Sequence, residues 1–195
     1  MKRNAALPQE AKEILQQAGA ILEGHFKLTS GKHSPYYFQC ALLFAQPALA
    51  RSAAAQLAAR IGDLGIDCTL APAMGGVIAG YALAAALGCR ALFAERPSGV
   101  FELRRGFALK PKERVLIVED VITTGGSALE TANLARSMGA QIAAYASFVN
   151  RSGGAFAPPE PFFFWTQIDA PVYEPDQCPL CAAGGVAVKP GSRPE

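Results

Sequence analysis

The sequence predicts an α/β protein with a mainly parallel central sheet flanked by helices. From about residue 66 onward, short apolar runs alternate twice with longer helical runs, which is the pattern of βαβ units. The chain has 195 residues, of which 51% are apolar and 17% charged, a balance typical of a globular protein with a sizeable core. We therefore expect a single domain over residues 1–195, with a small N-terminal hood at about residues 1–45 and a C-terminal tail at about residues 175–195.

The first part of the chain predicts a helix, a turn, a strand and a second helix. Helical spacing of apolar residues follows Pro8 and stops at Gly19, which are residues that commonly start and end helices. Residues 28–38 mix turn residues with aromatic residues, so we expect a β-turn that leads into a short strand. Residues 47–61 are rich in alanine and predict the second helix.

The two βαβ rounds follow in order. The predicted strands are residues 68–71, 91–93, 115–118 and 141–148, and the predicted helices are residues 77–87 and 127–138. Between the rounds, the polar residues 95–112 predict a hairpin-like excursion of the kind that forms lids and binding loops. The last forty or so residues are rich in proline, and we expect disorder in the polar tail after Val188.

Charge and composition exclude several classes of protein. A formal net charge of +2 is too small to favour a nucleic acid or an anionic membrane as the partner. The basic N-terminus lacks the uninterrupted apolar region of a signal peptide, and Gly80, Gly88 and Arg90 interrupt the apolar residues 77–93. We therefore expect a cytoplasmic protein without a membrane partner. The chain has five cysteines, an odd number, and we therefore expect no disulfide framework.

Residues 115–128 carry the clearest chemical pattern in the chain. Four apolar residues, typical of a strand covered on both faces, run directly into Glu119 and Asp120. Open α/β sheets bind ligands at the carboxyl ends of their strands. The sequence Thr-Thr-Gly-Gly-Ser follows at residues 123–127, immediately before a predicted helix. Its glycines allow a phosphate to approach backbone N–H groups at the positive end of that helix, and we call residues 123–127 the phosphate cradle.

A phosphate cradle beside two acids suits a phosphorylated sugar. The phosphate would meet the N–H groups, and the vicinal hydroxyls would meet the carboxylates. In the alternative interpretation, Glu119 and Asp120 merely end a strand and Ser127 merely caps a helix. No lysine follows the glycines and the spacing is not GxGxxG, so nucleoside-triphosphate and dinucleotide sites are disfavoured.

This segment resembles the phosphoribosyl-pyrophosphate motif of the type I phosphoribosyltransferases. Residues 71–76, which read APAMGG, resemble the pyrophosphate loop of the same family. The resemblance implies the type I phosphoribosyltransferase fold, with a hood and a flexible loop, and 5-phosphoribosyl-1-pyrophosphate (PRPP) as a substrate. The residues implied to bind PRPP are Glu119, Asp120, Val121, Ile122, Thr123, Thr124, Gly125, Gly126, Ser127, Ala73, Met74, Gly75 and Arg96.

A second motif points to the branch of the family that acts on orotate. Residues 26–38, FKLTSGKHSPYYF, resemble the N-terminal hallmark of that branch, in which a basic turn and an aromatic strand build the base pocket. In that branch, an arginine that follows the strand matching residues 141–148 helps to hold the orotate carboxylate. The residues implied to bind orotate are Thr29, Ser30, Lys32, Tyr37, Phe38, Thr123 and Arg151. An ordinary turn, a packed aromatic strand and a solvated arginine are the structural alternatives.

The sequence departs from the family at its basic residues. The pyrophosphate loop has Met74 or Gly75 where the better-known orotate enzymes have a lysine, and residues 95–109 contain no lysine to match their catalytic one. We expect Arg96, Arg104 and Arg105 to act instead, alongside the catalytic acids Glu119 and Asp120. Because arginine stays protonated near neutral pH, its expected role is charge stabilisation. Surface arginines on a hairpin are the alternative.

The resemblance implies Mg²⁺-dependent transfer of phosphoribose from PRPP to orotate by a homodimer with shared active sites. Purine or other-base transfer and PRPP sensing by a regulator are the alternatives. No metal site made by protein alone is expected. A Cys178-x-x-Cys181 pair lies near the tail, but His25 and His33 lie far away in the sequence, so a complete set of zinc ligands is not expected. An all-cysteine site between two subunits and a redox role are weaker possibilities.

Overall fold

The computed structural model describes residues 9–28 and 30–189. The strands are β1 (Ile21–Lys27), β2 (His33–Phe38), β3 (Cys68–Pro72), β4 (Arg90–Glu95), β5 (Glu102–Leu103), β6 (Arg114–Ile122), β7 (Gln141–Asn150) and β8 (Phe162–Gln167). The α-helices are α1 (Gln9–Gln17), α2 (Ala41–Phe44), α3 (Pro47–Ile61), α4 (Gly75–Leu87), α5 (Gly126–Ser137) and α6 (Pro179–Ala182). A short 3-10 helix spans Pro175–Gln177.

The central sheet has six strands in the order β5-β4-β3-β6-β7-β8. Every neighbouring pair is parallel except β4 and β5, which form the antiparallel hairpin at one edge. This confirms the α/β prediction, and the excursion at residues 95–112 contains the expected hairpin pairing. Because the strands are parallel, the loops that follow β3, β4, β6 and β7 all leave the sheet at the same edge.

Two apolar clusters cover the two faces of this sheet. On one face, α1 to α4 pack against side chains that include Leu116, Val118 and Phe148. On the other face, α5 and the excursion pack against the alternate residues Val115 and Ile117. A fully buried side chain of this size stabilises the fold by roughly 1.5–3 kcal/mol, so the apolar run at residues 115–118 anchors both layers.

The hood is an antiparallel hairpin of β1 and β2, separate from the main sheet. Residues from the C-terminal part of the chain extend it on both sides. Lys27 N–H donates to the carbonyl of Val188 at 2.8 Å, and Val188 N–H donates to the carbonyl of His25 at 2.9 Å. On the other side, His33 and Tyr173 exchange two backbone hydrogen bonds of 2.8 Å each. The C-terminal segment, residues 171–189, is therefore bound to the hood.

Among the described elements, five were not predicted, namely β1, α2, β8, the 3-10 helix and α6. Glu23, Gly24 and His25 interrupt the apolar pattern of β1, and prolines at positions 158, 159 and 161 precede β8. The prediction that Glu119 and Asp120 follow the end of a strand was wrong, because β6 continues through both acids to Ile122. Pro8, the predicted helix start, lies outside the described residues. The tail beyond residue 189, for which disorder was expected, also lies outside them.

Candidate active site

The polar residues of the predicted site converge at the carboxyl edge of the parallel strands. Residues 73–76 follow β3, Arg96 follows β4, the phosphate cradle follows β6, and Arg151 follows β7. The register places Ile122 beside Asn150, so the ends of β6 and β7 are level. Segments that are up to about eighty residues apart in sequence thus meet at one edge of the sheet, where such sheets bind ligands.

Two partly buried acids, Glu119 and Asp120, lie in the last part of β6. The Asp120 carboxylate accepts a hydrogen bond from the backbone N–H of Val121 at 2.9 Å, and the Cys40 thiol contacts the Asp120 carbonyl at 3.8 Å. Within residues 9–28 and 30–189, neither Glu119 nor Asp120 takes part in a salt bridge. Two neighbouring carboxylates without a positive partner would be stabilised by a cation or by hydroxyl groups that donate hydrogen bonds to them.

The surroundings raise the pKa of both acids. Burial raises the pKa of Glu119 to about 8, with a further contribution from the neighbouring charge of Asp120. Burial also raises the pKa of Asp120, and the backbone hydrogen bonds at Val121 and Asp120 partly oppose this effect. Perturbed carboxyl groups at the ligand edge of a sheet are a common mark of a functional site.

The raised pKa of Glu119 has a consequence for stability without ligand. The unfolded chain releases the Glu119 proton near pH 4.5, whereas the folded protein keeps it until about pH 8. Folded protein then binds more protons than unfolded protein, so the free energy of unfolding falls as pH rises through this window. We expect Glu119→Gln to remove this fall, which makes the variant more stable than the parent at pH 8 and similar to it at pH 5.

Urea unfolding at several pH values, without substrate, measures this effect. The matched control is Glu102→Gln on the exposed strand β5. Its unfolding free energy should follow that of the parent at every pH. If the Glu119→Gln and parent curves were parallel from pH 5 to 8, the proposed environment of Glu119 would be wrong.

The phosphate cradle has the predicted geometry of a loop that ends in a helix N-terminus. Thr123, Thr124 and Ser127 are exposed to solvent, and α5 begins at Gly126. Gly125 has a φ of 77°, a conformation that residues with a side chain rarely adopt. A Cβ at Gly125 would lie 2.0 Å from Cδ2 of Phe156, so that ring leaves room only for glycine.

The pyrophosphate loop lies directly against the acidic pair. A Cβ at Gly75 would lie 2.9 Å from Oδ2 of Asp120, which shows how closely the loop approaches the acids of β6. Ala73 N–H donates to the carbonyl of Ala94 at 2.8 Å, and this bond fixes the loop to β4. The neighbouring Met74 side chain is 86% exposed, and the peptide bond between Ala73 and Met74 is cis.

Arg151 joins the sheet edge to the hood. Its backbone N–H donates to the carbonyl of Ile122 at 2.8 Å, and its guanidinium carbon lies 5.1 Å from the ring centroid of Phe38 on β2. Burial lowers the pKa of Arg151 from its usual value. A half-buried guanidinium that stacks on an aromatic ring and makes no salt bridge within the described part of the chain is suited to bind an anion.

Among the described residues of the hood, the predicted base-pocket residues other than Phe38 have partners of their own or face solvent. Tyr37 packs against Phe26, with ring centroids 5.8 Å apart. Lys32 forms a salt bridge of 2.5 Å with Glu174, and Ser30 is exposed in the turn before β2. Thr29 lies outside the described residues. Phe38 and Arg151 therefore contact each other directly, whereas Lys32 is paired with the C-terminal segment.

The three candidate arginines differ in their partners. Arg96 pairs with Glu130 of α5, and its guanidinium carbon lies 4.1 Å from the ring centroid of Phe101. Arg105 donates two hydrogen bonds, of 2.8 and 3.0 Å, to the carboxylate of Glu95. Arg104 is exposed and makes no salt bridge with any described residue. Arg96 is therefore tied to the helix of the phosphate cradle, while Arg104 is available for an anion.

Phe156 and Cys40 belong to the site and were not predicted. Phe156 is buried against Gly125 and packs edge-on against Tyr145 and Phe162, with centroid distances of 5.5 and 5.0 Å. Its sequence surroundings, GGAFAPP, predict only a loop. Cys40 is buried in the core, and its contact with the Asp120 backbone joins residues 80 positions apart, which no local pattern reveals.

Comparison with known proteins identifies relatives over nearly the whole chain. A family model described as a phosphoribosyl transferase domain matches residues 42–178. A Thermotoga maritima protein named orotate phosphoribosyltransferase is 48% identical over 182 residues, which cover 93% of this chain and 97% of that protein. A protein of the same name from Carboxydothermus hydrogenoformans is 49% identical over 183 residues, which cover 93% of this chain and 96% of that protein.

Solved structures share the fold at lower sequence identity. The crystal structure of orotate phosphoribosyltransferase from Aeropyrum pernix has a TM-score of 0.69 and 24% identity, and the match covers 81% of this chain and 93% of that chain. An adenine phosphoribosyltransferase from Rhodothermus marinus has a TM-score of 0.65 and 21% identity, covering 83% of this chain and 100% of that chain. The fold therefore occurs in proteins named for different bases, and the fold alone does not select the base. Within the described ranges, no helix combines the length and the apolar character needed to cross a bilayer.

Proposed function

Because this chain belongs to the phosphoribosyl transferase family, and within it to the orotate phosphoribosyltransferases, we propose that it transfers phosphoribose from PRPP to orotate. The products are orotidine 5′-monophosphate and pyrophosphate, in the de novo route to UMP. One observation carries the proposal. At a single sheet edge, the Asp120 carboxylate abuts the pyrophosphate loop at Gly75, while Arg151 stacks on Phe38 of the hood.

PRPP binds across this edge in the proposed complex. Its 5′-phosphate lies in the phosphate cradle, where the backbone N–H groups at the start of α5 and the exposed hydroxyls of Thr123, Thr124 and Ser127 donate to it. Its ribose hydroxyls meet Glu119 and Asp120. Its pyrophosphate meets backbone N–H groups of the loop from Ala73 to Gly75, which begins α4.

Orotate binds between the cradle and the hood in the same complex. The Arg151 guanidinium donates to the orotate carboxylate, and Thr123 provides a second donor. Phe38, which already stacks on Arg151, lies beside the flat base. Ser30, Lys32 and Tyr37 complete the pocket from the hood, which requires Lys32 to leave Glu174 or to share it with the base.

Mg²⁺ fits the donor set of this site as a proposed cofactor. The partly buried acids, which lack a salt-bridge partner among the described residues, favour a nearby positive charge, and their oxygens are hard ligands of the kind that Mg²⁺ accepts. In the complex, pyrophosphate and ribose hydroxyls would hold the ion, with Glu119 and Asp120 contacting those hydroxyls directly or through water. When bound, Mg²⁺ supplies charge stabilisation for the leaving pyrophosphate.

The protein contributes positioning and electrostatics to the reaction. The C–O bond from the ribose anomeric carbon to pyrophosphate breaks as the orotate nitrogen forms its bond from the opposite face. The acids hold the ribose in place while positive charge develops on it, and arginines offset the negative charge that builds up on pyrophosphate. Arg104 is free to turn toward pyrophosphate, whereas Arg96 and Arg105 must first release Glu130 and Glu95.

An assay with defined bases tests the proposed function. Protein, Mg²⁺ and PRPP are mixed with orotate, adenine, hypoxanthine or guanine, and loss of each base is followed with and without chelator. Orotate should be consumed, and the chelator should stop the reaction. Consumption of a purine without loss of orotate would assign the protein to another base, and PRPP binding without turnover of any base would indicate a regulator.

Substitution of Arg151 tests how the base is held. We expect Arg151→Gln to raise the KM for orotate by roughly 10- to 100-fold, because a charge-assisted hydrogen bond is worth about 1.5–3 kcal/mol. Initial rates at varied orotate, and separately at varied PRPP, measure the change. The KM for PRPP should stay within about threefold, and an equal rise in both constants would place Arg151 outside the base pocket.

We also propose a homodimer that buries the apolar groove between α3 and α4. The groove has a volume of about 850 Å³, half of its lining residues are alanines, and the others include Ile78, Tyr81 and Arg51. Tyr81 is 68% exposed and Ile78 is 55% exposed. A second copy of the chain would cover these side chains and place its own loops near the adjacent active site. A cytoplasmic location, expected from the sequence, remains a prediction.

Light scattering during gel filtration tests the dimer. We expect Tyr81→Asp to convert much of the dimer into monomer and to lower activity, because it introduces an unpaired charge into an apolar interface. The control is Val172→Asp, which changes another exposed apolar residue outside the groove. A parent protein that is monomeric at the assay concentration would contradict the dimer.

A further inference from the structure

Two histidines of the hood and two cysteines of the C-terminal segment form a cluster that the proposed reaction does not use. His25 lies on β1, His33 begins β2, Cys178 precedes α6, and Cys181 lies within α6. One ligand atom from each side chain lies within 4.8 Å of all the others. We propose that these four residues bind one Zn²⁺ ion in a structural site that joins the hood to the C-terminal segment.

The distances fit a tetrahedral site. With Zn–S near 2.3 Å and Zn–N near 2.05 Å, tetrahedral geometry requires about 3.3 Å between nitrogens and about 3.6 Å between nitrogen and sulfur. His25 Nε2 and His33 Nδ1 are 3.0 Å apart. Cys178 Sγ lies 3.5 Å and Cys181 Sγ 3.7 Å from His25 Nε2, while Cys181 Sγ lies 3.3 Å from His33 Nδ1. These four of the six separations between ligand atoms are each close to the tetrahedral value, and the other two are at most 4.8 Å.

Hydrogen bonding among these side chains does not account for the convergence. The ring atom His25 Nε2 can use a single direction in the ring plane, either to donate or to accept. Three other ligand atoms nevertheless lie within 3.7 Å of it. A cation at the centre of the cluster gives all four atoms a partner at once, whereas a hydrogen bond satisfies two.

The ligand types select the metal and the kind of site. Two thiolates and two imidazoles form a common structural zinc set, and the C-x-x-C spacing is typical of its cysteine half. Cys178 is 3% exposed and His33 is 8% exposed, so water has little access from their side. With four protein ligands the coordination is complete, which indicates a role in structure and not in catalysis.

The surrounding chain shows what the ion would hold together. His25 and Cys178 are separated by 153 positions in sequence. The β1–β2 hairpin has only two strands of its own, and α6 has four residues, so neither element is expected to be stable alone. At Gly185, a Cβ would lie 2.9 Å from the Leu180 carbonyl and 3.2 Å from His25 Nδ1, so glycine allows the segment to close over the ring.

The fold therefore corrects the reasoning from sequence about these residues. The histidines and cysteines were considered separately because they lie at opposite ends of the chain. The backbone pairing of Val188 with β1 and of Tyr173 with β2 brings the two pairs together in one subunit. An all-cysteine site between subunits is not needed to complete four ligands.

Metal analysis of the full chain tests the proposal. The protein is produced in zinc-supplemented medium, freed of any histidine tag, dialysed, and measured by mass spectrometry of the elements. We expect one zinc per chain in the parent and in the control Cys89→Ser, whose thiol lies outside the cluster. The variants Cys181→Ser and Cys178→Ser/Cys181→Ser should lose most of the metal.

Cobalt replacement and chelation distinguish the proposal from its alternatives. Co²⁺ added to the metal-free parent should give the visible absorption of tetrahedral coordination with thiolate ligands, and Cys89→Ser should do the same. Chelation should lower Tm by roughly 10 °C in both proteins and leave Cys178→Ser/Cys181→Ser unchanged. Zinc content in the parent no higher than in the double variant, together with no cobalt spectrum, overturns the site. So does a Cys178–Cys181 disulfide in protein isolated under reducing conditions.

Discussion

Asp120→Asn should lower kcat/KM by about 10²- to 10³-fold while the protein remains folded. The reason for the loss is that the carboxylate of Asp120 lies against the pyrophosphate loop and, in the proposed complex, holds the ribose hydroxyls. Removing one preorganised polar contact to the reacting group commonly has an effect of this size. Steady-state rates with orotate and PRPP measure it, and circular dichroism with thermal unfolding measures the fold.

The protein should remain folded, because the partial burial that raises the pKa of Asp120 also makes its negative charge unfavourable in the folded state. Asparagine keeps an oxygen that can accept the hydrogen bond from Val121 N–H, and it removes a charge that is costly to bury. The matched control is Asp63→Asn, at an exposed acid before the amino end of β3 and so away from the carboxyl edge that carries the site, which should keep parental activity. Near-parental activity of Asp120→Asn would contradict the assignment of the acidic pair.

Gly125→Ala should destabilise the protein by about 3 kcal/mol and raise the KM for PRPP. Alanine at a φ of 77° costs roughly 1–2 kcal/mol, and its methyl group would overlap the Phe156 ring and add roughly 1–3 kcal/mol. Relief of that overlap must displace the ring, the loop or the start of α5, and each movement disturbs the phosphate cradle. Urea unfolding gives the stability, and initial rates at varied PRPP give the KM.

Two further variants separate strain from steric overlap. Gly88→Ala places alanine at a φ of 71° with no atom within 4 Å of the new Cβ, so it should cost roughly 1–2 kcal/mol and leave both KM values unchanged. Gly125→Ala/Phe156→Ala should be more stable than the sum of its single changes predicts, by roughly 0.5–3 kcal/mol. Strict additivity would mean that Gly125 and Phe156 do not restrict each other.

The parts of this protein that sequence reasoning predicted are those encoded by neighbouring residues. The apolar run at residues 115–118, the two acids and the phosphate cradle form one continuous segment, so its sequence predicts a strand, a ligand edge and a helix start together. The α3 bounds, Pro47–Ile61, were predicted without error because proline, an alanine-rich interior and glycine mark them locally. The length of β6 was missed, since charged residues seldom continue a buried strand.

The missed features depend on distant parts of the chain. Phe156 acts on Gly125 only because the loop after β7 folds back over α5, and no spacing within the loop indicates this. β8 obtains its hydrogen bonds from β7, and its own sequence predicts little more than an apolar cluster after several prolines. The grouping of His25, His33, Cys178 and Cys181 required knowledge of the path of the C-terminal segment. Local patterns contain no information of this kind.

The attachment of the C-terminal segment to the hood constrains the order of events during synthesis. β1 leaves the ribosome early, but its partner Val188 follows more than 150 residues later. The central sheet can form first from contacts between successive βαβ units, whereas the hood gains its outer backbone partners only after residues 171–189 are made. The base pocket, which needs Phe38 of the hood beside Arg151 of the sheet, is therefore expected to be the last part of the nascent protein to mature.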